Sequence, residues 1–225
     1  MTHEHPTGHG HGAAGLTDDE IRALFEPSAW DERYRDKRSV WSGNPNAQLV
    51  AETSGLAAGT ALDVGCGDGV DAIWLAGRGW RATGLDFSAA GLERAAALAA
   101  EAGVSDRTDW RQADARTWRA DGDRWDLVTS HFIHLPGGGM TGLVGRLADA
   151  VAPGGTLLVV GHHPRDLETG LRWSVDDVMF APEDLLAGLD TAGWDVRTEV
   201  RTRQEGRPGV DPQTVHDSVL VARRS

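Results

Sequence analysis

Two groups of residues in this sequence stand at spacings that could do chemistry. The first is Asp63-Val-Gly-Cys-Gly-Asp-Gly69, a D-x-G-x-G-x-G run, followed 21 residues beyond Gly65 by Asp86. Glycine is needed where backbone must turn with positive φ or let a ligand approach without a Cβ in the way. An acid about twenty residues after such a loop, at the end of a second strand, is placed to bind a ribose hydroxyl pair. The second group is histidine: His131 and His134 after an apolar run, and His162 and His163 after another. Histidine titrates near neutral pH and suits proton transfer. A tight turn would also use the glycines, and backbone groups at strand ends would also satisfy the histidines.

The elements that must position these groups are readable. Thr60–Val64 is a short buried strand, Val70–Gly77 a helix, and a second strand ends at Asp86. Ser88 caps an Ala/Leu helix over 88–102 that stops before Gly103. Thr108–Gln112 is predicted as the third strand, Trp125–His134 as the fourth strand and its carboxyl end, and 143–151 as a helix. Ala152-Pro-Gly-Gly155 is predicted as a helix stop and turn before an apolar fifth strand reaching Gly161. A helix over 182–192 and strands over 195–202 and 214–222 complete the chain, joined by a Gly/Pro-rich hairpin. Ahead of this core, Thr17 caps a helix that Pro27 ends, Ser28 caps a second, and 47–54 forms a third.

A dinucleotide fingerprint needs glycine at position 70, where this chain has Val70. The D-x-G-x-G-x-G run with Asp86 instead resembles motif I of the class I S-adenosylmethionine (SAM)-dependent methyltransferases. That resemblance extends over about residues 28–222 and implies an α/β three-layer sandwich, Rossmann-like, with a seven-stranded, mostly parallel sheet whose last strand is antiparallel. It implies SAM as cofactor, S-adenosylhomocysteine (SAH) as product, and contacts from Asp63, Gly65, Cys66, Gly67, Asp86, Phe87, Asp114, Ala115, Ser130 and His131. Asp114 matches the family's adenine-binding acid after strand 3. The run Trp30 to Trp41 is similar to the N-terminal segment of thiopurine and tellurite-resistance methyltransferases, which adds Trp30, Tyr34 and Trp41 on the cofactor side.

The reaction so implied is in-line displacement at the sulfonium methyl by a small-molecule acceptor: a thiol, a chalcogen oxyanion, or an oxygen or nitrogen of a metabolite. His131, then His162 and His163, are the candidate bases, with His134 behind them. A non-catalytic SAM-binding protein and an NAD-dependent oxidoreductase are the alternatives.

Composition bounds the rest. A chain of 225 residues suits one domain: a His/Gly-rich tail over 1–16 expected to be disordered, a helical cap over 17–56, and a lid or acceptor wall over 164–181. A net charge of −12 argues against nucleic acid. No apolar run is long enough for a membrane span, and a single cysteine fits a reducing cytoplasm. His3, His5, His9 and His11 lack a fixed scaffold, so no metal site is expected; monomer and homodimer both remain open.

Overall fold

In the computed structural model, the described residues are 17, 20, 23, 26–35, 43–169, 178–207 and 210–225. The expectations for the 1–16 tail, Trp41 and residues 170–177 fall outside them. Seven strands form one sheet: β1 (Thr60–Val64), β2 (Arg81–Asp86), β3 (Thr108–Gln112), β4 (Trp125–His131), β5 (Val151–His162), β6 (Trp194–Arg207) and β7 (Val210–Arg224). Their order is β3-β2-β1-β4-β5-β7-β6, and β7 alone runs opposite to the other six. Strand order reverses between β1 and β4, where Asp63 lies opposite Thr129. Ligands bind at the carboxyl ends of strands at such a reversal.

The helices are α1 (Pro27–Arg35), α2 (Ala47–Thr53), α3 (Val70–Gly77), α4 (Ala89–Glu101) and α5 (Gly139–Asp149). Alternating strand residues feed two cores, because successive side chains point to opposite faces. Leu62, Val64, Val128, Leu157 and Val159 pack with Leu143 and Leu147 of α5. Ala61, Leu127, Leu158 and Val160 pack on the other face with Leu49 of α2, Leu75 of α3 and Ala99 of α4. The three-layer sandwich follows directly.

Several elements depart from their sequence reading. Ser28 does not cap the second helix: α1 already begins at Pro27, which has no N–H to lose in a first helical turn. Helix α5 starts at Gly139 and stops at Asp149, and β5 already begins at Val151. The Pro-Gly-Gly run sits inside β5 as an irregularity, where pairing jumps from Trp125↔Val151 to Leu127↔Thr156. In place of a helix over 182–192 there is a 3-10 segment, Pro182–Gly188. Gly188 lies against the Thr141 carbonyl, where a Cβ could not fit. The final hairpin strands are longer than predicted. The ends of the 164–181 segment are anchored, by buried Asp166 within the 3-10 turn Pro164–Thr169 and by Phe180 in the core.

Candidate active site

Strand β1 ends at Val64 and the chain enters the glycine loop. Its first amides, Gly65 N–H and Cys66 N–H, donate to the Leu85 carbonyl of β2 at 2.7 and 3.1 Å. Gly65 has φ +79, and a Cβ there would run into Ile133. Gly69, also at φ +79, starts α3; its missing Cβ leaves room for Trp110 and Ala95. One glycine therefore keeps the loop close to the β4 end, while the other serves packing.

Asp86 grips this loop. Its Oδ2 accepts from Gly67 N–H and its Oδ1 from Ser88 N–H, both at 2.9 Å. Burial raises its pKa, against the pull of those amides. Ser88 caps α4 by accepting from Gly91 N–H at 3.1 Å and donates to Asp31 of α1 at 2.7 Å. That contact docks α1 beside the loop, with buried Tyr34 against the position of Gly91 and Trp30 tilted 6.3 Å from Tyr34. Phe87 is half-buried, and its carbonyl accepts from Gln112.

At the end of β3, Asp114 pairs with Arg116 at 2.8 Å, and that hydrogen-bonded guanidinium lowers its pKa. Ala115 is buried, with its carbonyl accepting from Arg146 of α5. Cys66 is buried, and burial, with the nearby charges of Asp63 and Asp86, pushes its thiol well above the usual range. Such a thiol is inert near neutral pH.

The catalytic candidates separate into distinct environments. His134 Nδ1 bonds the Val178 carbonyl at 2.8 Å, and its Nε2 accepts from His162 N–H at 3.4 Å. His162 is stacked between Phe132 and His134, at 4.6 and 5.0 Å. Phe132, at φ +57 beyond β4, begins this column of rings, which continues to Phe180. His163 Nδ1 accepts from Arg165 N–H, and burial lowers its pKa. His134 and His163 are thus occupied by backbone.

His131 stands apart. Its Nδ1 lies 2.7 Å from Asp71 Oδ2, and its ring is nearly buried. Asp63 is packed close by, accepting from Thr129 Oγ1 at 3.1 Å, and one carboxylate oxygen each of Asp63 and Asp71 and one ring nitrogen of His131 lie within 4.8 Å of one another. Burial raises the Asp63 pKa, and the charge of Asp71 adds to it. Asp71, in the first turn of α3, was missed as a functional residue in the sequence. An acid in a first helical turn reads as ordinary dipole compensation, and only the fold sets it against the end of β4.

The polar inventory at the strand ends fits a polar, nucleoside-type ligand. Among the described residues, Asp68 Oδ1, Ser130 Oγ and His131 Nε2 are buried without a hydrogen-bond partner. Buried polar atoms are normally satisfied. These three come from the glycine loop and the adjoining end of β4.

A family profile described as a methyltransferase domain matches residues 61–155. The chain is 32% identical over 186 residues to a trans-aconitate 2-methyltransferase of Streptomyces coelicolor, covering 73% of this chain and 61% of that protein's length. It is 31% identical over 196 residues to the 2-heptyl-1-hydroxyquinolin-4(1H)-one methyltransferase of Mycobacteroides abscessus, covering 76% and 85%. Among solved structures, a chain studied for conversion of a disulfide bond into a thioacetal group during echinomycin biosynthesis superposes with a TM-score of 0.72 at 24% identity, covering 88% of this chain and 91% of that one. TehB from Haemophilus influenzae superposes at 0.64 with 14% identity, covering 88% and 67%. The glycine loop, the acid closing β2, the seven-stranded order and these likenesses together place the chain in the class I SAM-dependent methyltransferases.

Proposed function

We propose that this protein transfers the methyl group of SAM to a small-molecule acceptor at the carboxyl ends of β1, β2 and β4. The observation that carries the reading is the glycine loop clasped by Asp86, with unpartnered Asp68, Ser130 and His131 atoms on the same strand ends. When bound, SAM supplies an electrophilic methyl on a sulfonium; the chain's own groups bind, orient and exclude water.

In this reading Asp86 takes the ribose hydroxyls, releasing Gly67 and Ser88 amides toward the ligand. Asp63 and the loop from Gly65 through Cys66 to Gly67 face its amino-acid portion. Phe87, Asp114, Ala115 and Ser130 border the adenine and sulfur sides, and Trp30 and Tyr34 cover the site from α1. His131 is the base; His162, within its column of rings, lines the acceptor side. His163 has a weaker case, because its ring is tied to the backbone of the following turn.

The relatives' names favour an acidic or hydroxylated metabolite as acceptor. The thiopurine or tellurite-resistance type rests on the resemblance of the run that holds Trp30 and Tyr34. The net charge of −12 disfavours nucleic acid as partner. Among the described residues, no helix is long and apolar enough to cross a membrane. Free Cys66 favours the cytoplasm, and the lack of large exposed apolar side chains other than Val200 in the described surface favours a monomer over a homodimer.

The test is methyl transfer from labelled SAM to trans-aconitate, 2-heptyl-1-hydroxyquinolin-4(1H)-one, 6-mercaptopurine and tellurite, read as SAH produced. Turnover of any of these that is lost in Asp86→Ala supports the reading. SAM binding with no turnover across a broad metabolite panel would favour a non-catalytic SAM-binding protein.

A further inference from the structure

We propose that Asp71 is a positioning residue that keeps the His131 proton on Nδ1, leaving Nε2 to take the proton of a hydroxyl-bearing methyl acceptor. The inference rests on the methyl-transfer reading and adds to it the acceptor's class and the residue that prepares the base.

Geometry carries it. Asp71 Oδ2 is 2.7 Å from His131 Nδ1, and Asp71 Oδ1 accepts from Asn46 N–H at 2.7 Å. The carboxylate is thus held between the cap of α2 and the ring. An ionised carboxylate only accepts, so the ring proton between the two belongs to Nδ1. His131 Nε2 is left buried and without a partner at the end of β4. In a neutral ring with Nδ1–H, Nε2 is the basic nitrogen.

The charges explain why a hydroxyl acceptor gains most. As the acceptor oxygen forms its bond to the methyl, its O–H bond breaks and the proton passes to Nε2. The electron pair of the broken S–CH3 bond stays on sulfur, giving a thioether. One positive charge therefore moves from sulfonium to imidazolium, beside the Asp71 carboxylate. Thiolate and carboxylate acceptors arrive without that proton and need no such couple.

The charged groups facing His131 are Asp71 from α3, Asp63 from β1 and Asp217 from β7, the last paired with Arg203 of β6 at 3.1 Å. Burial would lower the His131 pKa; the charge and hydrogen bond of Asp71, then Asp63 and Asp217, outweigh it and raise the value.

The experiment is long-range proton–nitrogen NMR of the full-length 15N-labelled protein, with the His131 ring assigned by its loss in His131→Gln. The neutral wild-type ring is expected to show Nδ1 protonated and Nε2 bare. Asp71→Asn should lower its titration midpoint by about one to three pH units, and Asp71→Glu should restore it. SAH added to the same samples should perturb the Gly67 and Gly69 amides in wild type and in Asp71→Asn alike. A wild-type ring protonated on Nε2, or an unchanged midpoint in folded Asp71→Asn, overturns the proposal; if Asp71→Asn does not fold, the wild-type tautomer decides. A wild type whose amides ignore SAH overturns the methyl-transfer reading instead. Turnover confined to trans-aconitate, 6-mercaptopurine or tellurite contradicts the hydroxyl class.

Discussion

Asp63 shows how a site residue can burden the fold that carries it. It is 3% exposed, and its carboxylate accepts from Thr129 Oγ1 at 3.1 Å. Burial, then the Asp71 charge, raises its pKa, so the folded chain holds this proton more tightly than the unfolded chain. The associated stability is full at acid pH, below the unfolded value, and is lost as pH rises through the folded value. Asp63→Asn keeps the acceptor for Thr129 and removes the buried charge. It should raise the unliganded Tm by about 2–4 °C at pH 8, corresponding to about 1 kcal/mol, with the gain shrinking toward pH 5. The same variant should weaken SAM binding, since it removes a negative charge from the cationic ligand's surroundings. A lower Tm at pH 8 would contradict this account of Asp63.

Among the elements, α4 couples the site to the cap. Its N-cap, Ser88, both satisfies Gly91 N–H and donates to Asp31 of α1. Ser88→Ala should cost about 1 kcal/mol through the lost cap. It should also speed protease cleavage within 26–35, because α1 loses its tie to the loop; unchanged cleavage would mean that α1 is held by other contacts. The β1–loop–α3–β2 unit was legible in the sequence because each of its parts has a local cause. Buried apolar runs, glycines at a turn and an acid at a strand end act over a few residues. Ser28 was misread as a cap because serine favours that position, whereas Pro27 already fits the first turn of the same helix. The Pro-Gly-Gly of β5 reads as a turn whether it leaves the sheet or bends within it. The Asp71–His131 contact had no local sign at all: it joins a first helical turn to a strand end 60 residues later.

Over the whole molecule, the last hairpin is locked to the N-terminal cap by buried polar contacts. Asp217, 1% exposed, takes Arg203 at 3.1 Å and Gln48 of α2 at 3.2 Å. Arg201 bridges to Gln48 at 3.0 Å and to Glu52 at 2.5 Å. Removing one partner of a buried pair strands the other charge, at a cost of about 3–5 kcal/mol. Arg203→Met should therefore lower the urea midpoint markedly, and adding Asp217→Asn should recover part of the loss. No recovery would mean that Arg203 acts by packing rather than charge. This network holds α2, and with it the Asn46 amide on Asp71, so cap and site are parts of one framework.

The central claim is SAM bound at the glycine loop with its ribose on Asp86, and calorimetric titration of SAM into wild type and Asp86→Ala tests it most directly. The account predicts saturable binding by wild type, weakened at least about tenfold in a variant that keeps its far-ultraviolet spectrum, a loss of about 1.4 kcal/mol or more. No SAM binding by wild type, equal affinity in Asp86→Ala, or preferential binding of NADH would contradict it.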